Sequence, residues 1–326
     1  MKVLVTGANG FLGSHVAERL AARGVELRLA LRPTSNREFV GGIASFEEAV
    51  YDMRDAESLR RAVQGVDAIA HVAGLTTALS EAEYESVNAQ GTAVLAAAAA
   101  AAGVGRFVYV SSLAARGGSM SPEPPPTPRP VSAYGRSKLA GEEAALANAG
   151  SMSVAVLRPP VVYGPRDRAL LPVYKAARLG VVPVYGDGLN QLSWLHVFDA
   201  ADAIVEATLA DGPSGAIYSL SDGQPHTWRE LLEAFGEAIG RRPRIVPVPP
   251  VLYEALGLGV CYAAYGVSKL LKKTPYMSRK EIEHLRLRYW VCDNEAISRD
   301  LAWKPAWDIE RGLRQTLAWY RERGWL

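Results

Sequence analysis

Cysteine is almost absent from this chain. Cys261 and Cys292 are its only two, far apart, so neither a disulfide framework nor cysteine metal-ligand spacing is available, and no metal site is expected. That usage fits a reducing cytoplasm. Runs of one charge are also missing. The formal net charge is +2 and basic residues are scattered among acids, which gives no electrostatic reason to expect nucleic acid. Long apolar runs are missing too. Met1–Val5 is too short for a signal peptide. The most apolar stretch, Pro250–Val267, falls short of the roughly 20 residues a spanning helix needs and carries Glu254. It reads as a buried or pocket-covering helix. The alternative is an interfacial helix touching a membrane, because Lys269, Lys272 and Lys273 follow directly.

What remains is a globular composition, 49% hydrophobic and 21% charged, with enough chain for one large domain or two intimate ones. Strand patterns at Lys2–Thr6, Glu26–Leu31, Ala68–Val72, Arg106–Val110 and Ser153–Leu157 alternate with helical patterns at Gly13–Arg23, Leu59–Val63, Tyr84–Ala102 and Ala133–Ala147. Strands joined by helices imply parallel pairing and right-handed crossovers. The expected class is therefore α/β, a doubly wound parallel Rossmann sheet with a smaller C-terminal α/β substrate domain. Residues 1–165 form the first unit, with 190–210 returning to it, and 166–326 mainly the second. Gly117–Pro130, GGSMSPEPPPTPRP, can be neither helix nor central strand and reads as a surface loop beside the active site.

Thr6-Gly7-Ala8-Asn9-Gly10-Phe11-Leu12-Gly13 follows the first strand and opens the first helix. Glycines there permit a tight turn and let a pyrophosphate reach free N–H groups at the helix N-terminus. The end of the second strand offers Leu31-Arg32-Pro33-Thr34-Ser35 and no acid. An acid would bind the ribose 2′-hydroxyl of NAD. Arg32, with Ser35 in support, suits the 2′-phosphate of NADP, so NADP is favoured and NAD is the alternative. Asp52, followed by Met53, could accept from the adenine amino group or simply hold a turn.

Tyr134 and Lys138 stand one helical turn apart on one face. A tyrosine hydroxyl titrates near pH 10, so it needs a neighbouring cation to exchange a proton at neutral pH. Ser111-Ser112 ends the preceding strand, where a hydroxyl can hold a substrate oxygen while the tyrosine handles the proton.

On these residues the chain resembles an extended short-chain dehydrogenase/reductase, a superfamily that includes NAD-dependent epimerases and dehydratases. The matching segments are TGANGFLG, HVAG at His71–Gly74, NAQGT at Asn88–Thr92, SAYGRSKLAGE at Ser132–Glu142, RPPVVYGP at Arg158–Pro165 and LHVFDAADAI at Leu195–Ile204. The resemblance implies that Ser112, Tyr134 and Lys138 are catalytic and that Asn88 is a structural asparagine, with a buried capping residue as the equal reading. It adds Val72, Ala73, Gly74, Pro159 and Val161 to the cofactor site. It also implies a homodimer through the alanine-rich helix and the one carrying Tyr134.

Within that family, 4,6-dehydratases carry an acidic pair beside the catalytic hydroxyl, where this chain has Leu113 and Ala114. Sugar-nucleotide epimerases present an arginine to the diphosphate where Leu192 stands here. The chain is most similar to the hydroxysteroid-dehydrogenase and dihydroflavonol-reductase branch. The expected reaction is reversible hydride transfer between NAD(P)(H) and a secondary alcohol or ketone on a largely apolar small molecule. Thr76, Leu113, Val162, Tyr163, Leu192 and Trp194 would line its pocket. The rivals are a nucleotide-sugar epimerase with bound NAD, in which Arg158, Arg166 or Arg168 would replace the missing arginine, and a non-catalytic dinucleotide-binding regulator.

Overall fold

The first strand, KVLVT, shows how the chain builds its central sheet. Val3 and Val5 point to one side and Leu4 to the other, and all are fully buried. Both faces are therefore covered, as a parallel sheet requires. The computed structural model of the chain describes residues 1–255 and 286–326. Most of the apolar tract Pro250–Val267, together with Cys261, Lys269, Lys272 and Lys273, lies outside the described residues.

The N-terminal unit contains β1 (Lys2–Thr6), α1 (Phe11–Ala22), β2 (Glu26–Leu31), β3 (Glu47–Val50), α2 (Ala56–Ala62) and β4 (Ala68–His71). A helical run follows, formed by α3 (Glu81–Tyr84), a π-helical turn (Glu85–Gln90) and α4 (Gly91–Ala101). Then come β5 (Arg106–Val110), a short α5 (Leu113–Arg116), α6 (Ala133–Ala147) and β6 (Ser153–Arg158). Beyond these are β7 (Val161–Tyr163), α7 (Leu171–Leu179), β8 (Val181–Tyr185), β9 (Gln191–His196), α8 (Val197–Leu209) and β10 (Ala216–Ser219). The chain continues with β11 (Pro225–Thr227), α9 (Trp228–Ile239), β12 (Arg244–Val248), β13 (Tyr289–Trp290), α10 (Glu295–Leu301) and α11 (Ile309–Glu322).

Seven parallel strands form the main sheet in the order β3-β2-β1-β4-β5-β6-β10. The order reverses between β1 and β4, so the ligand crevice opens beyond the carboxyl ends of those two strands. Helix α8 packs against α1, and β10 pairs with β6. The small side chains of α4 let Leu95, Ala96 and Ala99 sit directly on the opposite face. Two additional sheets lie outside: β9 flanked by β11, β13 and β7, and the pair β8–β12. A separate aromatic core of Tyr163, Tyr174, Trp194, Phe235 and Tyr320 joins α7, α9 and α11. No helix among the described residues is long and apolar enough to cross a membrane.

The structure departs from the sequence expectation at β3 and at the start of the alanine-rich helix. Strand β3, EEAV, was not expected because it is a mostly exposed edge strand without apolar alternation. Ion pairs from Lys2 and Arg28 to Glu47 hold it to the sheet. The alanine-rich helix also starts a turn earlier than its apolar pattern suggested, because Ser80 caps it by accepting the Glu83 N–H.

Candidate active site

The glycine turn is held by close packing at two of its three glycines. Gly7 has φ +69°, and a Cβ there would lie 2.8 Å from the Ala73 backbone nitrogen at the end of β4. A Cβ on Gly13 would overlap the Gly7 carbonyl oxygen, so α1 could not approach β1 as it does. Gly10 is the exposed N-cap of α1, with no side-chain cap and no acid in the first turn. The first N–H groups of α1 and the positive end of its dipole are thus presented to a phosphate. Tyr51 adds a contact that the motif does not announce, its hydroxyl accepting from the Gly7 N–H at 3.3 Å.

A buried chain of hydrogen bonds ties this turn to β4 and α4. Thr6 Oγ1 accepts from the Ala73 N–H at 3.1 Å and lies 2.7 Å from His71 Nδ1. His71 Nε2 lies 3.0 Å from Thr92 Oγ1, and that hydroxyl donates to the Asn88 carbonyl at 2.7 Å. Every link is satisfied if His71 is neutral and carries its proton on Nε2. Burial, with the nearby Lys138 cation, lowers its pKa to about 3, so neutrality holds at ordinary pH. The π-helical turn aims Asn88 into the site. Its Oδ1 accepts from the Leu75 N–H at 2.7 Å, and its Nδ2 donates to the Leu75 carbonyl and to Ser137 Oγ. Asn88 therefore clamps the loop after β4 onto the helix carrying the tyrosine and lysine.

Along α6, residues 134, 138 and 142 share one face. Lys138 is almost fully buried; its Nζ donates to the Val110 carbonyl at 2.7 Å and sits 4.4 Å from the centre of the Tyr109 ring. Burial pushes its pKa down to about 7, opposed by the Glu142 carboxylate. Glu142 is itself buried, receiving hydrogen bonds from Arg158, with Nε at 2.8 Å, and from the Ser111 hydroxyl. Ser112 caps α5 by accepting from the Ala114 N–H at 3.1 Å, which leaves its own proton for another acceptor. Glycine at 135 lets the start of α6 pack directly on α5, because any Cβ there would collide with the Ala114 carbonyl. The Tyr134 ring leans on Tyr84, with centroids 6.0 Å apart. The Glu142–Arg158–Ser111 cluster was missed from sequence, although the eight-residue spacing from Tyr134 to Glu142 was a usable signal.

Beyond the carboxyl end of β2, Arg32 is exposed, and no described residue pairs with its side chain. The Arg32 N–H donates to Ser35 Oγ at 3.0 Å, folding a tight turn around the end of β2. Asp52 is exposed and holds a turn by accepting from the Arg54 N–H, while Met53 is buried against Gly91. Asn9, Phe11, Leu12 and Val72 are half-buried, and Gly74 and Thr76 are exposed beside the end of β4. A Cβ on Gly74 would meet Lys138 Nζ at 3.4 Å, so this loop and the lysine share one wall. Leu113 and Pro159 are buried where the Leu113 N–H donates to the Pro159 carbonyl at 2.8 Å. Val161 is exposed and Val162 half-buried.

Two residues expected to line the pocket are placed elsewhere. Tyr163 and Trp194 are fully buried in the C-terminal aromatic core, edge-on to each other at 5.8 Å. The Tyr163 side of β7 is covered by α11, whose Gly312 admits the phenol. Leu192 is half-buried, between His226 and Trp290 on the neighbouring strands. The three arginines that could have replaced a diphosphate-binding arginine are all engaged. Arg158 is paired with Glu142, Arg166 with Ser14 and Glu18 of α1, and Arg168 lies over the Trp325 ring. His196 caps α8 and stacks on Trp307 at 4.5 Å, a structural position.

The model of the family described as NAD dependent epimerase/dehydratase matches residues 3–221. The chain is 31% identical to a ceramide reductase of Caulobacter vibrioides, covering 99% of this chain and 96% of that one. It is 30% identical to a 2-alkyl-3-oxoalkanoate reductase of Stenotrophomonas maltophilia, covering 98% and 99%. Among solved structures it is similar to the dTDP-glucose 4,6-dehydratase of Streptomyces venezuelae with NAD bound. That likeness has TM-score 0.78 and 29% identity over 100% of this chain and 98% of that one.

Proposed function

Because the chain belongs to the NAD-dependent epimerase/dehydratase family, and is an enzyme of NAD(P)-dependent oxidoreduction, we propose that it reduces a ketone on a long-chain apolar substrate with NADPH. The observation that carries this reading is the fate of the arginines. With Leu192 on β9, Arg158 and Arg166 ion-paired elsewhere and Arg168 stacked over Trp325, none of these positions supplies the charge-assisted bonds that would hold a sugar diphosphate. The two relatives named as reductases support the same reading, since one name is that of a lipid, ceramide, and the other that of a 2-alkyl-3-oxoalkanoate, an oxo group on an alkyl chain.

The site suits a nicotinamide dinucleotide. The uncapped N-terminus of α1 would take the pyrophosphate, Arg32 the 2′-phosphate, Asp52 and Met53 the adenine, and Lys138 the ribose. Bound there, the cofactor supplies the hydride. Tyr134 gives its hydroxyl proton to the carbonyl oxygen, and the Ser112 hydroxyl donates a hydrogen bond to the same atom. Lys138, whose cationic form Glu142, the Val110 carbonyl and the Tyr109 ring support against the cost of burial, favours as a cation the phenolate that Tyr134 leaves behind.

The test is to titrate purified protein with NADPH and NADH separately, then follow NADPH oxidation with detergent-dispersed long-chain 3-oxo lipids. Turnover should fall by roughly a hundredfold or more in Tyr134→Phe while NADPH affinity is unchanged. Tightly retained NAD with turnover of a nucleotide sugar would overturn the proposal.

A further inference from the structure

The small sheet around β9 carries a row of side chains across one face. His226 on β11 stands opposite Leu192 on β9, and Trp290 on β13 stands opposite Leu192 from the other side. The row continues onto the loop joining α5 to α6, where Ser119 bridges Tyr289 and the Trp290 ring packs against Gly118. On β7, Val161 shares this face through its pairing with Trp194. Along β9 toward its end the face is covered by the C-terminal aromatic core, and Trp194 is fully buried. Toward the start of β9 the cover ends. Leu192 and Trp290 are half-buried, and Val161 is 37% exposed. Just beyond, a cavity of about 350 Å³ is lined by Asn190, Arg288 and Met120, with Tyr185 and Pro250. Asn190 and Arg288 precede Leu192 and Trp290 by two residues, so the cavity adjoins the row at about 7 Å along the strands.

His226 is the polar member of this row. It is 7% exposed, and its Nε2 meets Asp222 Oδ2 at 2.6 Å. The Asp222 carboxylate is itself buried, and its residue is fixed on β9 by the Asp222 N–H donating to the Trp194 carbonyl at 2.9 Å. The pairing uses only one ring nitrogen. Nδ1 has no hydrogen-bond partner among the described residues. A carboxylate can only accept, so it holds the proton of the neutral ring on Nε2 and leaves Nδ1 as a directed acceptor. A buried acceptor without a partner is costly, and an apolar side chain would fill the row without that cost.

We propose that His226, oriented by Asp222, recognises a hydrogen-bond donor, a hydroxyl or amide N–H, on a substrate that is otherwise apolar. Leu192, Trp290 and Val161 supply the apolar wall, and the adjoining cavity takes the chain beyond them. The proposal rests on the ketone reading above and adds which ketones qualify. His226 binds substrate; proton transfer stays with Tyr134.

The experiment compares kcat/KM for NADPH-dependent reduction of detergent-dispersed ketones of one chain length. They are the plain ketone, the keto acid, the keto amide and a set bearing a hydroxyl at successive carbons. The best donor-bearing ketone should exceed the plain ketone about tenfold or more, chiefly through KM, the worth of one directed hydrogen bond. His226→Leu should bring that ratio close to one. His226→Asn, whose amide oxygen stands near the position of Nδ1, should keep part of it. NADPH titration of both variants shows that they fold.

A histidine that only supports the fold would slow every ketone in proportion and leave the ratio unchanged, which would overturn the proposal. So would a parent enzyme that takes the plain ketone as well as any donor-bearing one, or that prefers the keto acid. In each of these cases the ketone reading stands. No turnover of any ketone with NADPH would remove that reading and this inference with it.

Discussion

Replacing Glu142 by Gln keeps the side chain's shape and removes its charge, and two independent quantities should then move. The first is stability. Glu142 and Arg158 are both more than nine-tenths buried and paired with each other. The neutral amide leaves the Arg158 guanidinium buried without compensation, which costs about 3–5 kcal/mol. At about 2.1 cal/mol/K of unfolding entropy per residue, a chain of 326 residues shifts its Tm by about 1.5 °C per kcal/mol. The expected fall is therefore about 4–7 °C in a thermal melt.

The second quantity is the pH dependence of reduction. Lys138 assists Tyr134 only as a cation, and burial has already lowered its pKa to about 7 against the support of Glu142. Without the carboxylate that pKa falls further, so the loss of rate as pH rises should begin at lower pH than in the parent enzyme. Rates measured from about pH 5 to about pH 9 resolve the limb. The double variant Glu142→Leu/Arg158→Met should recover much of the Tm, since an apolar pair can replace a buried ion pair. It should not recover the pH limb. A Tm within about 1 °C of the parent in Glu142→Gln, or an unmoved limb, would refute the reasoning.

Arg32→Asp should weaken NADPH by roughly 10–100-fold, the worth of a charge-assisted hydrogen bond, and spare NADH; equal loss for both cofactors would remove Arg32 from the 2′-phosphate site. Gly13→Ala forces α1 away from the Gly7 carbonyl, an overpacking cost of about 1–3 kcal/mol, and cofactor affinity should drop about tenfold. Isothermal titration checks it, and unchanged affinity would contradict the close approach. Acid should destabilise the fold through buried histidines. His15 and His71 titrate near about 3 and His196 near about 4 in the folded chain, all lowered chiefly by burial. Unfolded histidine binds its proton near pH 6.5, so stability is lost as pH falls below that value, by about 2 kcal/mol per histidine between pH 7 and pH 5. Asp167, raised to about 6 by burial, returns about 1 kcal/mol over the same interval. Denaturant unfolding at the two pH values should differ by several kcal/mol, and equal stability would count against the neutral buried rings.

The sequence by itself determined what is local in the chain. A parallel strand covered on both faces reads as a nearly continuous apolar run, so β1, β4, β5 and β6 were legible as such, and β2 too despite Arg28 in its middle. Gly7, Gly10 and Gly13 act within one turn, and Tyr134 and Lys138 face the same way because one helical turn separates them. Tertiary structure decided whatever depends on a second element. Strand β3 exists only because β2 offers it an edge and Arg28 reaches Glu47. The burial of Tyr163 and Trp194 follows from α11 covering their strands, which no pattern inside β7 or β9 could reveal. Glu142 meets Arg158 because the register of α6 on β6 brings them together. Spacing sets direction within an element, but burial and pairing belong to the surface between two elements, and that surface exists only once the chain has folded.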